Sequence, residues 1–466
     1  MLDKISAEGG SAFGGKKIHI IGIEGAGTSA LARMYKQMGY EVSGSDEGDH
    51  YYYNELQKDN IKVSHKFSPD NIAKDTDLII YSTAFKPEAN KELDFALKSK
   101  IKTIAYPEGL ARVFNDKYGI AVCGTHGKTT TSSWLAFVMR EAGCDPNLIV
   151  GAKIPQLGGG TLIGKSNYFV IEADEYQNKL KYYRPKAVLL NNIEYDHPDF
   201  FRTADDYNQA FIDFISKMPK KGILICNFND PVICRIAKVN SRARVVTYAI
   251  DDAADYVAHK IKQAGGRQIF SVSINGDDLG EFSICLSGRH NISNALGVIA
   301  MCIELEIDLF KIREYLEEFT GAERRMQVMG KYRGAAIIDD YAHHPTEVRA
   351  SLSGARELYP HKKIITVFHP HSFTRTKALL NDFAESFGDT DELIVLDIYG
   401  SAREAQGDVH SRDLIEKIIK AGQKNASYIP TLAECEAYVR EKLKSGDVLI
   451  LMGAGEAYKI GQNLIK

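Results

Sequence analysis

The chain predicts an α/β protein with largely parallel sheets. Short apolar runs alternate with helical periodicity along almost all of its 466 residues. Three of the apolar runs end in a turn that opens a helix, which predicts three units: one starting at residues 17–22, one at Tyr118–Cys123 and one at Ala335–Asp340. The length supports two or three domains, each with its own core. Joints are expected at residues 114–117 and 321–325, dividing the chain into 1–117, 118–322 and 323–466. There is no repeat of solenoid length and no low-complexity tract.

The first unit opens with Gly22-Ile-Glu-Gly-Ala-Gly27 after a strand and before a helix. A second strand, Glu41–Ser45, leads to Asp46. This is a Rossmann-like start with an acidic residue about 20 positions on. The spacing is not Gly-x-Gly-x-x-Gly, so it points to a phosphate-bearing ligand rather than a nicotinamide dinucleotide. The alternative is a tight turn that packs and binds nothing. His65 and Tyr81-Ser-Thr-Ala84 lie at the ends of apolar runs, where open sheets line a ligand crevice. His65 taken alone reads as structural.

The middle unit carries the most informative stretch, Gly124-Thr-His-Gly-Lys-Thr-Thr130, between the strand Tyr118–Cys123 and a helix expected over residues 130–141. Glycines let backbone N–H groups close on phosphate oxygens, and the helix N-terminus favours the anion. Lys128 can reach the terminal phosphates and the Thr129 hydroxyl can hold Mg²⁺. The usual first glycine of a P-loop would fall at Val122, so the match is to a shorter form. Glu172-Ala-Asp-Glu175 and Asn191-Asn-Ile-Glu-Tyr-Asp-His197 end two further strands, residues 168–171 and Ala187–Leu190. Carboxylates and an imidazole beside a phosphate loop suit Mg²⁺–ATP, with Glu175 and His197 as candidate ligands; a solvated acidic turn and a capping or core imidazole are the alternatives. Residues 257–286 read as β-hairpins with Asn275-Gly-Asp as a turn. Gly288-Arg-His-Asn-Ile-Ser-Asn294 precedes a helix expected over 295–304. Its asparagines can cap that helix, and Asn294 can also meet an adenine edge with its donor and acceptor. Arg324-Arg325 at the second joint can reach a phosphate on domain closure, or form an ordinary surface charge pair.

In the third unit, Asp339-Asp-Tyr-Ala-His-His-Pro345 and His369-Pro-His-Ser-Phe-Thr-Arg-Thr376 end adjacent strands. Their histidines lack the spacing of a zinc site. A polar pocket for an amino acid and the reacting carboxylate is the simpler reading, with Arg375 as a two-toothed carboxylate clamp.

Composition excludes other classes. A net charge of −3 makes no electrostatic case for a nucleic-acid partner. Residues 1–15 lack the apolar core of a signal peptide, and no apolar run nears the roughly 20 residues that span a bilayer. Seven scattered cysteines without Cys-x-x-Cys read as reduced, buried thiols of a cytoplasmic protein.

Taken together, Gly124-Thr-His-Gly-Lys-Thr-Thr, Glu172-Ala-Asp-Glu, Asn192-Ile-Glu-Tyr-Asp-His, Gly288-Arg-His-Asn, Asp340-Tyr-Ala-His-His-Pro and Pro370-His-Ser-Phe-Thr-Arg-Thr resemble, in order and spacing, the Mur ligases of peptidoglycan synthesis. The similarity runs from about Lys17 to the C-terminus. Residues 196–201, 370–376 and 399–404 resemble the branch that joins L-alanine to UDP-N-acetylmuramate, rather than the branch that recycles whole murein tripeptide. The chain departs from the family at Glu24-Gly-Ala-Gly-Thr-Ser29, where Gly-Gly-x-Gly-Met-Ser is common; a carboxylate beside a diphosphate is electrostatically unfavourable.

The resemblance implies three domains: a Rossmann-like one for the UDP-sugar, a P-loop ATPase-like one and a Rossmann-like one for the amino acid. It implies ATP and Mg²⁺, small-molecule substrates, an acyl-phosphate intermediate, and a cytoplasmic monomer or homodimer without a nucleic-acid or membrane partner. Gly124, Thr125, His126, Gly127, Lys128, Thr129, Thr130, His290 and Asn294 would serve ATP, and Thr129, Glu175 and His197 the metal. Gly25, Gly27, Asp46, His65, Ser82 and Thr83 would serve the UDP-sugar. Tyr341, His343, His371 and Arg375 would line the alanine site, and Lys128, Arg325, His343 and His371 would be catalytic. Two other classes stay open on the sequence: a Rossmann oxidoreductase, which leaves the Lys128 loop unexplained, and a silent nucleotide sensor, which leaves the amino-acid pocket unexplained.

Overall fold

The computed structural model describes residues 16–47, 52–400 and 407–466; the readings made on residues 1–15 and 401–404 lie outside them. The described residues form three sheets, spanning residues 17–105, 118–284 and 327–452. The first holds β1 (Lys17–Ile21), β2 (Glu41–Ser45), β3 (Lys62–Ser64), β4 (Leu78–Tyr81) and β5 (Lys102–Ala105) in the order β3-β2-β1-β4-β5. All its pairings are parallel. Strand order reverses beside β1, so a crevice opens at the carboxyl ends of the strands. Gly22, the residue after β1, has φ 79°, and a Cβ there would lie 2.5 Å from the Phe85 ring.

The second sheet contains β6 (Tyr118–Cys123), β7 (Asn147–Ile154), β8 (Gly159–Leu162), β9 (Tyr168–Glu172), β10 (Ala187–Leu190), β11 (Ile223–Asn227), β12 (Arg244–Ile250), β13 (Tyr256–Ala264), β14 (Arg267–Ile274) and β15 (Asp277–Ile284). Its order is β15-β14-β13-β12-β11-β10-β6-β9-β7-β8. The strands from β12 to β7 form a parallel core, with β6 between β10 and β9. The hairpins read from residues 257–286 extend this sheet as an antiparallel edge. Asn275 and Gly276 turn between β14 and β15 with φ 51° and 95°, as a two-residue hairpin turn requires.

The third sheet has β16 (Gln327–Tyr332), β17 (Ala335–Asp340), β18 (Ile364–Phe368), β19 (Glu392–Val395), β20 (Ala426–Tyr428) and β21 (Val448–Met452) in the order β16-β17-β21-β18-β19-β20. Only β16 runs antiparallel, at one edge, among its described strands.

Two helices start earlier than the sequence predicts. Helix Lys128–Glu141 begins directly on Gly127, whose φ of 78° ends the phosphate loop. Helix Arg289–Glu304 is capped by Gly288 at φ 89°, so Asn294 lies inside the helix instead of capping it. Burial of the thiols also differs from expectation: Cys123, Cys226, Cys302 and Cys435 are buried, but Cys234 is exposed on helix Pro231–Asn240. No described helix is long and apolar enough to cross a membrane.

The units are fastened to one another by side chains. Phe114 packs its ring 5.7 Å from Phe169 and 5.5 Å from Tyr183, docking the end of the first unit on the second. Arg324 ties the second joint to the third sheet, donating from Nε to Asp339 Oδ2 (3.1 Å) and from Nη2 to the carbonyls of Gly453 and Gly455. Within the middle unit, Trp134 on the phosphate-loop helix is fully buried, stacks on Phe319 at 5.2 Å and donates Nε1–H to Leu316 O. Trp134→Ala should therefore destabilise the middle unit by about 3–5 kcal/mol, checked as a lower urea midpoint for its unfolding.

Candidate active site

The phosphate loop leaves the end of β6 and turns through Gly124 (φ 134°) and Gly127 (φ 78°). A Cβ on Gly124 would lie 2.8 Å from Asn192 O, and one on Gly127 2.7 Å from Asn294 Oδ1. Both positions thus need glycine for backbone conformation and for space. Thr125 Oγ1 donates to Glu194 O, and Thr130 lies in the first turn of the helix that follows.

Lys128 curls back over its own loop. Its ammonium donates to Gly124 O (2.6 Å), Thr125 O (2.9 Å) and Glu175 Oε2 (2.8 Å). Burial alone would lower its pKa, but the charges of Glu175 and Asp174 overcome that and hold it above the ordinary lysine value. Glu175 is fully buried and also accepts from Tyr207 Oη at 3.0 Å. His197 Nε2 lies 3.6 Å from Glu175 Oε1. Ligating atoms of Asp174, Glu175 and His197 fall within 4.8 Å of one another. Thr129 Oγ1 donates to Glu172 Oε1 (2.6 Å), and Glu172 Oε2 accepts from Gly151 N. Carboxylate and hydroxyl oxygens with one imidazole make a donor set that fits a hard divalent cation. Burial lowers the His197 pKa, but Glu175 and Asp196 raise it on balance.

Between the middle and third units lies a cavity of about 1100 Å³ lined by His126, Gly127, Asn191, His290, Asn294 and Arg325 among others. Burial pushes His290 down to about 4, so it presents a neutral ring near neutral pH. Asn191, which the sequence reading passed over, donates to His126 O and Thr131 Oγ1, while its buried Oδ1 has no partner among the described residues. An orphaned acceptor on the cavity wall suits a ligand's donor. Its signal was the doubled Asn191-Asn192 after a strand. The joint arginines part company: Arg324 is a fastener, whereas Arg325 lines the cavity, 5.2 Å from the Tyr341 ring. Alternating left-handed backbone at Arg324 (φ 61°) and Met326 (φ 49°) accompanies this divergence. Asp340, also passed over, lines the same cavity and accepts from Ala342 N.

The third unit brings Tyr341, His343, His371 and Arg375 together. The His343 ring sits 5.2 Å from Tyr341 and 6.5 Å from His371, and Arg375 Nη1 faces His371 Nδ1 at 3.5 Å. Arg375 is not open to a ligand carboxylate in this arrangement. Its Nε and Nη2 donate to Asp196 Oδ1 (2.9 Å) and Oδ2 (3.3 Å), across the domain boundary. Burial, reinforced by Arg375 and opposed by Glu347, pushes His343 down to about 3, which makes it a weak proton acceptor. The other two histidines are structural: His344 caps helix Pro345–Leu358, and His369 Nδ1 accepts from Glu456 N.

At the first crevice, Asp46 accepts from the backbone amides of Glu24 (2.8 Å) and Glu47 (2.8 Å), which occupies it in fastening the turn. The Glu24 carboxylate lies 3.6 Å from His65 Nδ1, and His65 meets Tyr53 edge-on. Gly25 caps helix Ala26–Gln37. Ser82 Oγ accepts from Ala84 N across Thr83, at the end of β4. Gly27 leaves room for the Tyr106 hydroxyl, 2.4 Å from where its Cβ would stand. Tyr106 is a third residue the sequence did not flag. Burial first, then the charges of Glu172 and Asp174, raise its pKa.

A phosphate loop, a hard-cation donor set and two flanking open α/β crevices define a multidomain nucleotide-dependent enzyme. The chain belongs to the Mur ligase family: models of the catalytic, middle and glutamate ligase domains match residues 17–118, 122–302 and 324–455. It is 37% identical over 450 residues to the UDP-N-acetylmuramate–L-alanine ligase of Desulfitobacterium hafniense, covering 96% of this chain and 99% of that one. Identity to the enzyme of the same name from Aquifex aeolicus is 35% over 451 residues, 97% of each chain. Among solved structures, the UDP-N-acetylmuramate–alanine ligase of Thermotoga maritima superposes with TM-score 0.77 at 24% identity, over 96% of this chain and 98% of that one. A murein peptide ligase from Psychrobacter arcticus gives 0.71 at 24% identity, over 97% and 98%. These two share the fold.

The Asp196–Arg375 pair sets a pH dependence. Burial raises the Asp196 carboxyl, but Arg375 and then His197 overcome this and hold it well below the usual carboxylate range. A depressed folded pKa contributes stability above the unfolded value, about 3.9, that is lost as pH falls. Asp196→Asn should cost about 3–5 kcal/mol near neutral pH, because it leaves Arg375 buried without its carboxylate. Melting temperatures across the acid range should then fall less steeply in the variant below about pH 4.

Proposed function

We propose that this chain joins the amine of L-alanine to the carboxylate of UDP-N-acetylmuramate, cleaving ATP to ADP and phosphate, as a cytoplasmic step of peptidoglycan precursor synthesis. The observation that carries this reading is the position of the Lys128–Glu175 cluster. His197 lies 3.6 Å from Glu175, and the adjacent Asp196 pairs with Arg375 of the third unit, which supports a phosphoryl site next to an amino-acid site. We divide the chain into a UDP-sugar domain (1–117), an ATP domain (118–322) and an amino-acid domain (323–466).

A carboxylate resists attack by an amine because its carbonyl carbon is electron-rich. In the first step a carboxylate oxygen attacks the γ-phosphorus of ATP and the bond to ADP breaks. The alanine amine then attacks the acyl carbon of the acyl phosphate, phosphate departs, and the amine gives up a proton. Lys128 stabilises charge on the transferring phosphoryl, with Arg325 reaching the same region from the joint. Thr129, Glu175 and His197 would hold Mg²⁺, which supplies charge neutralisation of the phosphates. Gly124 to Thr130 cradle the phosphates, and His290, Asn294 and Asn191 meet the adenosine. His371 is the better placed base, since His343 is held in its weakly basic neutral form. Arg375 receives the alanine carboxylate by exchanging it for Asp196. Closure of the third domain excludes the water that would waste the acyl phosphate.

ADP release measured with UDP-N-acetylmuramate over a panel of amino acids should be highest with L-alanine. Release that ignores the amino acid would overturn the assignment. Lys128→Ala should lose about 3 kcal/mol or more of transition-state stabilisation while keeping a native circular dichroism spectrum. Near-full turnover at saturating Mg²⁺–ATP would contradict the phosphate-loop role. Arg375→Lys should raise the KM for alanine far more than that for ATP. Alaninamide should react poorly with the wild type and lose little further in the variant, because two changes that delete one contact do not add.

A further inference from the structure

We infer that His126 is a positioning residue, an imidazolium latch through which the phosphate loop holds the amino-acid domain in register. The inference rests on the reading of the Lys128 loop as the phosphate site and of His343 as part of the amino-acid pocket.

The His126 side chain leaves the phosphate loop between its two positive-φ glycines and is 13% exposed. Its Nε2 lies 3.0 Å from Glu194 Oε2 of the middle domain, and its Nδ1 lies 3.2 Å from Glu347 Oε1 of the third. Both ring nitrogens face carboxylates, and only the protonated ring donates from both. Each carboxylate is held from behind. Glu194 Oε1 accepts from Thr346 Oγ1 at 2.6 Å. Glu347 Oε2 accepts from His343 N at 3.0 Å and His344 N at 3.3 Å. A continuous path therefore runs from the phosphate loop through one imidazole and one carboxylate to the backbone of His343.

The surrounding charges agree with this protonation. Burial would lower the His126 pKa, but hydrogen bonds to Glu194 and Glu347 raise it to about 9. Glu194 would be raised by burial, yet His126 and Thr346 bring it down to about 2. His343 Nδ1 lies 3.2 Å from Glu347 Oε2, the Arg325 charge also acts on Glu347, and the His344 ring stands 4.7 Å from that of His126.

A metal ion shared by His126, Glu194 and His344 is the competing reading, since their ligating atoms lie close together. The capping box argues against it. His344 Nδ1 accepts from Thr346 N, so the neutral ring carries its proton on Nε2 and has no lone pair there to give. That buried Nε2 has no hydrogen-bond partner among the described residues, which suits a ring packed for shape and capping.

A latch formed only when the domains meet predicts a split between ligands. In the full chain, His126→Gln and Glu347→Gln should each raise the KM for alanine and lower kcat, a loss in kcat/KM of about tenfold or more. The glutamine amide oxygen keeps the bonds from His343 N and His344 N, so the capping box survives Glu347→Gln. With Glu347→Gln, which leaves the loop itself intact, the Kd of ATP, measured by equilibrium binding without alanine, should stay within about twofold. The double variant should be no worse than the poorer single. Multiplying losses, or a shift in ATP affinity with alanine kinetics unchanged, would overturn the latch. Should His126→Gln fail to fold, Glu194→Gln replaces it in the cycle and the same outcomes decide. A wild type without alanine-dependent ADP release would sink the proposed function as well, whereas an active wild type with multiplying losses would sink the latch alone.

Discussion

A largely enclosed ammonium organises this molecule. The Lys128 side chain is only 14% exposed, so water solvates it poorly and the protein supplies its counter-charge through Glu175 at 2.8 Å. Leaving either member without the other would cost about 3–5 kcal/mol. The constraint propagates outward. Glu175 must be held in turn, by Tyr207, which contacts Thr125 of the same loop. The loop must fold tightly enough to offer Lys128 two carbonyls, which requires the positive φ values of Gly124 and Gly127. A cation satisfied by its own loop and one carboxylate is also one that incoming phosphate oxygens can recruit without a large rearrangement.

Around that centre lie strand ends of three largely parallel sheets. The order of each sheet places its crevice at the carboxyl ends of its strands, and the loops there meet across the domain boundaries. Phe114 packs from the first domain against Phe169 and Tyr183, and Asp196 and Glu347 reach across the second boundary to Arg375 and His126. The second boundary is thus bridged by two charged contacts, one of them from the Lys128 loop itself. Such contacts are costly to bury and specific in geometry, which suits a joint that must close in one register.

Much of this was legible in the sequence, because strand, glycine turn and helix are local signals. β6, β10 and β17 fall where the apolar runs placed them, and the Asn275-Gly turn lies in the predicted hairpin. Motif residues lie together because each motif ends a parallel strand. What the sequence hid was pairing between distant segments. Nothing near Arg375 in the chain announces Asp196 as its partner, and nothing near Gly27 announces Tyr106. Asn191 and Asp340 were inside motifs that had been noticed, but a strand end offers several polar side chains and only the fold tells which face the cavity. The start of helix Arg289–Glu304 was missed because Gly288 at φ 89° caps it, a backbone property that composition does not report.

In the proposed reaction, Lys128 and its neighbours transfer a phosphoryl group onto a carboxylate before the amine arrives. Isotope transfer tests this directly. With UDP-N-acetylmuramate labelled by ¹⁸O in its carboxylate, turnover with ATP and L-alanine should release inorganic phosphate carrying one labelled oxygen per labelled carboxylate consumed, as required when the acyl C–O bond breaks on the carbon side. Phosphate free of label, with amide still formed, would contradict the acyl-phosphate route and the role assigned to the Lys128 cluster.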